Sequence, residues 1–197
     1  MAAGRVMTGF SLPYVALYTA SGSTVTYSQG QRLARGVQVS IEAEAEDDNI
    51  FYADNISAES APGIFTSGTA TFTVDGLKLA AEQLIMGIPA ADTQGVTAGF
   101  IHYGESLTIP YVGVGFICRY MEDGVTTYVP YILTKCRFVT PGVDAQTATE
   151  TIEWQTQEIT ATLLRDDTTN HDWKLVGSGE STEAAAEAKI KAIFNIT

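Results

Sequence analysis

Apolar and polar residues alternate most clearly between Ile109 and Arg165. Two apolar runs, YVGVGFICRYM (111 to 121) and VTTYVPYILTKCRF (125 to 138), are separated by Glu122-Asp123-Gly124. An Asp-Gly pair between alternating runs predicts a two-residue type I′ hairpin, because that turn needs positive φ at both central positions and its twist matches the flanking strands. The turn also fixes the register. With Glu122 facing Val125, Tyr120 meets Thr127, Cys118 meets Val129, Phe116 meets Tyr131 and Val114 meets Leu133, so one face is apolar on both strands. The other face pairs Arg119 with Tyr128, Ile117 with Pro130 and Gly115 with Ile132, a mixed surface for solvent or another subunit. Pro130 lacks an N–H and fits this register where its outer side is an edge, a bulge or a subunit boundary.

A third long strand is expected in IEWQTQEITATLLR (152 to 165). Ile152 and Trp154 carry the apolar phase before Gln157, and Ile159, Ala161 and Leu163 carry it afterwards. This slip predicts a bulge near Gln155 to Glu158, or a strand passing from one sheet to another. Upstream, residues 1 to 11 are expected as an N-terminal arm, residues 12 to 19 as a strand and residues 24 to 27 as a short one. Val37, Val39, Ile41, Ala43 and Ala45 alternate with Gln38, Ser40, Glu42 and Glu44, the period-2 signature of a strand with one acidic, wet face. Residues 46 to 66 are expected as a long irregular loop, or else a hairpin folded back on its own domain; a loop of this length in a compact domain is usually functional. Thr69, Thr71 and Thr73 alternate with Ala70, Phe72 and Val74 in another half-polar strand. Asp75 is placed to N-cap a helix whose Leu77, Ala80, Ala81, Leu84, Ile85 and Ile88 recur at helical spacing, with Gly87 and Pro89 ending it. AGFIHY (98 to 103) reads as a short strand. A final helix is expected from Ser181 to Ile193, with Glu180 and Glu183 at its positive end and Lys189 and Lys191 at its negative end; its last residues, KIKAIF, also fit a strand. The fold class is therefore mainly β, a sandwich or barrel over residues 12 to 175, with one embedded helix packed outside and a C-terminal helical extension over 176 to 197.

Composition narrows the function. The 197 residues include 18 glycines but only 17% charged residues, which suits strands and tight turns. A formal charge of −12 argues against nucleic-acid affinity, which needs clustered Lys and Arg on phosphates. MAAGRVMTGF has no sustained apolar core, and no apolar run approaches the ~20 residues that span a bilayer, so neither a secretory signal nor membrane association is expected. Cys118 faces Val129 rather than Cys136 in the predicted register, so two buried free thiols are expected. His102 and His171 have no second ligand at metal spacing, and Glu46 to Asn49 lacks the spacing of a calcium loop. No Gly-rich phosphate loop is present. The acidic strand face at Glu42 and Glu44 is either a solvated outer surface or a wall with a use.

Four stretches in order, GVQVSIEAEAEDDNIFYADN (36 to 55), the Thr-rich strand running into DGLKLAAEQLIMG, YVGVGFICRYMEDGVTTYVPYILTKCRF and IEWQTQEITATLLR, resemble the major tail proteins of long-tailed siphophages, the subunits of the tail tube. The resemblance covers roughly residues 12 to 175. It implies a β-sandwich-like domain that closes into hexameric rings stacked into a hollow tube, a structural virion protein made in the host cytoplasm and carrying no catalytic, metal or cofactor site. Implied partners are sister subunits, the tape-measure protein, and the terminator and tail-tip proteins; DNA passes through without specific binding. Under that resemblance Gln38, Ser40, Glu42, Glu44, Thr69, Thr71 and Thr73 are expected to face the lumen. Asp47, Asp48, Phe51, Tyr52, Ile64 and Phe65 are expected in the loop that joins stacked rings. Competing expectations are a monomeric carbohydrate-binding sandwich using Trp154, Trp173 and Tyr128, and the tube of a contractile injection or type VI secretion system.

Overall fold

The computed structural model describes residues 4–105, 107–143, 145–147 and 154–196. The elements in chain order are β1 (Val6–Ser21), β2 (Thr24–Arg32), β3 (Gly36–Ala45), β4 (Asn49–Ala53), β5 (Ile56–Ala61), β6 (Phe65–Val74), α1 (Leu79–Met86), β7 (Val112–Glu122), β8 (Val125–Phe138), β9 (Gln157–Leu164), β10 (Lys174–Val176) and α2 (Glu183–Ile193). The fold is mainly β. One antiparallel sheet runs β2-β1-β7-β8-β9-β6-β3, with β10 also paired to β8, and β4 and β5 form a separate two-stranded ribbon.

The β7–β8 hairpin adopts the register that its turn dictates. Asp123 and Gly124 both have positive φ, 47° and 79°, and the ladder runs from Glu122 opposite Val125 to Val114 opposite Leu133 before a shift brings Val112 opposite Cys136. Pro130 sits at a bulge in the neighbouring ladder. Val176 of β10 faces Tyr131, while Glu180 bridges Tyr128, so the outer chain carries one extra residue where the proline cannot donate.

The sheet curls until β3 approaches β1. The Phe10 ring lies where a Cβ on Gly36 would stand, 2.2 Å away, so only glycine admits this closure. Enclosed between the strands is the main core, built from Val15, Phe72, Phe116, Leu133, Phe138, Ile159 and Leu163 among others. Phe72 meets Phe116 edge-on at 6.0 Å between ring centroids and Phe138 at 6.4 Å, geometries favoured by the aromatic quadrupole. α1 follows the far end of β6 and buries Ala81, Ile85 and Met86 in this core. Its end is as expected, since Gly87 is left-handed at φ 66° and donates its N–H to the Gln83 carbonyl.

A second core lies on the outer face of β1, β7 and β8. There α2 packs Ala186 and Ile190, with Phe194 just past its end, on Tyr14, Ala16, Ile117 and Ile132. Thr182 caps α2 through its side-chain oxygen, which accepts from the Ala185 N–H. The mixed hairpin face expected to meet solvent or another subunit is thus covered by the chain's own C-terminal helix. Alternation revealed the two faces, but only the return of a distant segment decided what covers them.

Five other local expectations are corrected. Residues 6 to 11 are not an arm, because β1 starts at Val6 and pairs through Met7, Phe10 and Ser11 with β7. β2 extends to Arg32, beyond Tyr27. Asp75 does not cap α1; its carboxylate accepts from the Arg35 backbone N–H at 2.8 Å and its guanidinium at 2.6 Å, and Lys78 occupies the cap position without a side-chain bond. AGFIHY is not a strand. No bulge interrupts β9, which starts at Gln157, after the phase slip, with Trp154 outside it and exposed; Ile152 lies outside the described residues.

Candidate functional site

Beside the half of the sheet's outer face that α2 covers, β9, β6 and β3 present a second half that no helix or strand covers among the described residues. Register aligns its polar residues in rows. Gln38, Ser40 and Glu42 of β3 face Thr73, Thr71 and Thr69 of β6, and Glu44 faces Ser67. Those threonines in turn face Glu158, Thr160 and Thr162 of β9. All seven residues expected on a common polar wall therefore share one face. The side chains on the opposite face of the same strands, Ala70, Phe72, Val74, Ile159, Ala161 and Leu163, are fully or almost fully buried, which is what fixes the polar set outward.

The charge on this wall varies from strand to strand. Glu42 and Glu44 stand on β3, hydroxyls fill β6, Glu158 lies on β9 opposite Thr73, and on these four strands cations enter only at β8, where Arg137 faces Thr162 and Lys135 faces Leu164. Lys135 is engaged. Its Nζ donates to Asp167 Oδ2 at 2.7 Å, and it lies over the rings of Tyr18 and Tyr111. Hydrogen bonds from Lys135 and then Tyr18 hold the Asp167 carboxyl below the usual range, while burial, with the bond to Asp167, pushes the Tyr18 hydroxyl up to about 12. This cluster pins the loop after β9 to the sheet. No spacing rule links residues 18, 135 and 167, so it was invisible in the sequence. β3 is paired on one side only, with β6, among the described residues.

Residues 46 to 66 are not irregular. They form the β4–β5 hairpin, turned by Asp54 and Asn55 at φ 51° and 65°, the paired left-handed conformation of a type I′ turn. Neither is the hairpin folded back on its domain: every β4 and β5 residue is exposed except Ala53, which is half-buried. Its base is fastened by the Glu46 N–H to the Ile64 carbonyl at 3.0 Å and by the Gly63 N–H to Asp48 Oδ1 at 3.1 Å. A Cβ on Gly63 would stand 1.6 Å from the Glu46 carbonyl oxygen, so glycine is required there. Phe51, Tyr52 and Ile56 are 62%, 63% and 66% exposed, an unusual concentration of bare apolar surface on so short a ribbon. Ile64 is exposed too. Phe65 departs from the expected set, since it stacks on Trp173 at 4.6 Å and 3° and is unavailable for an outside contact.

The same stacking engages Trp173, one of the three aromatics of the carbohydrate-binding alternative. Trp173 stacks on Phe65 and has the Lys174 ammonium 4.5 Å from its ring centroid, Tyr128 packs against the α2 core, and Trp154 is exposed. Asp92 accepts from the Thr97 hydroxyl and bonds His102 Nε2 at 3.0 Å. The carboxylate thus intervenes between hydroxyl and imidazole, the wrong order for activating a nucleophile. Among the described residues no three His, Cys, Asp or Glu side chains converge on a metal-sized site, and no helix is long and apolar enough to cross a membrane. Compared with known proteins, the chain matches no family model and no curated sequence.

Proposed function

We propose that the chain is the major subunit of a phage tail tube, a structural virion protein whose copies form hexameric rings stacked into a conduit for DNA. The observation that carries this reading is the Gln/Ser/Glu–Thr wall of β3, β6 and β9, uncovered by any other element and bordered by a strand with an open edge among the described residues. An open strand edge in a monomer is a liability, and a sister subunit removes it by pairing. Carboxylates on a channel wall repel phosphates, and the hydroxyls beside them offer only neutral hydrogen bonds that water matches, so a duplex slides past.

The exposed β4–β5 hairpin is the second support. It stands beyond the end of the sheet with apolar side chains that its own domain leaves uncovered, as a contact to the next ring requires. The overall negative charge keeps free subunits apart before assembly. The tape-measure, terminator and tail-tip proteins are the partners of such a tube. Negative-stain microscopy and sedimentation of the purified chain test the reading: rings or hollow tubes are expected, and a protein that stays monomeric at all concentrations refutes it.

A further inference from the structure

β6 separates two features that fit each other. At its Phe65 end stands the β4–β5 hairpin, and beyond its Val74 end lies α1. Ten residues of strand at about 3.3 Å each put these ends ~30 Å apart. Between α1 and β2 is an open cleft of about 690 Å³, walled by Leu17, Leu84, Ile88 and Pro110, with the amides of Gln29 and Gln83 at its sides. None of its lining residues carries a charge, in a chain whose formal charge is −12.

Resting on the tube reading, we infer that the β4–β5 hairpin of one copy seats its Phe51, Tyr52 and Ile56 in the α1–β2 cleft of the next copy. Charge selects this occupant. The hairpin and its base carry Glu46, Asp47, Asp48, Asp54 and Glu59, and no cation occurs between Arg35 and Lys78. Such a ribbon is repelled by most of an acidic surface and needs apolar walls free of carboxylates. The cleft supplies them. Lys78 directly precedes α1, so a cation stands next in the chain to one of its lining segments, while Glu82 of α1 is held by the Tyr103 hydroxyl. Because knob and cleft are different surfaces at opposite ends of one strand, the contact is heterologous; it leaves a free knob and a free cleft after every addition and propagates along an axis.

Two single-cysteine variants test the contact, Tyr52→Cys on the hairpin and Ala90→Cys on the cleft wall. The native Cys118 and Cys136 are buried and do not compete. Mild oxidation of the mixed variants is expected to give a disulfide-linked pair that neither variant gives alone. Phe51→Ser and Ala80→Glu provide a second reading, since each is expected to stop elongation alone while their mixture forms one-to-one pairs that grow no further. If wild-type tubes form but the mixed cysteines do not cross-link, the hairpin docks elsewhere and the cleft assignment is wrong while the tube stands. If the wild-type chain never polymerises, the tube reading falls and this contact with it.

Discussion

Phe194 is the residue whose removal best tests how the second core is held. Its side chain is fully buried although it lies three residues from the chain end, and its ring meets Tyr27 at 5.0 Å between centroids. Burying a phenylalanine removes ~200 Å² of apolar surface from water, worth ~5 kcal/mol at about 25 cal/mol per Å² as an upper bound. Large-to-small core changes of this kind cost ~3–5 kcal/mol. Phe194→Ala is therefore expected to lower stability by ~4 kcal/mol, a large fraction of the ~5–15 kcal/mol that holds a domain together. In urea, at a slope of ~2 kcal/mol per M, the midpoint falls by ~2 M. Far-ultraviolet circular dichroism follows the whole fold, and Trp173, stacked on Phe65 away from α2, reports separately on the main core. Glycine sharpens the test. A Cβ on Gly115 would stand 2.6 Å from Ile190 Cγ2 and 2.9 Å from Phe194 Cε2, so Gly115→Ala overpacks the native interface by ~1–3 kcal/mol. Once Phe194 is alanine, part of that obstruction is gone, and the double variant is expected to be more stable than the sum of the single losses implies. A Phe194→Ala loss below ~1 kcal/mol, or strict additivity of the pair, refutes the packing of α2 described above.

Replacing Glu42 and Glu44 by lysine reverses two charges on the polar wall; assembly should persist while DNA ejection slows, and normal ejection kinetics with intact tubes contradicts the lumen assignment. Burial pushes the Cys118 thiol up to about 11 and raises Cys136 further, so both should react with a thiol reagent only on unfolding, and rapid labelling of the native protein at neutral pH counts against their burial. Asp167 is held below its ordinary 3.8 by Lys135 and Tyr18. A lowered carboxyl stabilises the fold above the unfolded-state value and stops doing so as pH falls through the folded one, so Asp167→Asn should lose stability at pH 7 and converge with the parent below about pH 3.8. Urea midpoints across pH measure this, and a gap that is constant with pH excludes the ion pair as its source.

Local chemistry along the chain settled a good deal of this molecule. Asp123-Gly124 determined the turn, and with it nine cross-strand pairs down to Val114 and Leu133. Period-2 alternation determined which side chains of β3 and β6 share a face, because one residue of slip would have carried Phe72 into water. Gly87 determined where α1 stops. Long-range geometry decided the rest. Asp75 looked like a cap until Arg35, forty residues away, claimed its carboxylate. The run from 46 to 66 looked irregular because its apolar residues have no core to alternate against; Ile50, Phe51 and Tyr52 are all exposed, and periodicity marks a strand only where one face is buried. Gly113 and Gly115 are slots in β7 into which Tyr27, Ile190 and Phe194 fit, and nothing local to the strand names those occupants. Turn and alternation rules act over a few residues and are written locally, whereas what covers a face depends on which distant segment returns to it, and that is set only when the whole chain packs.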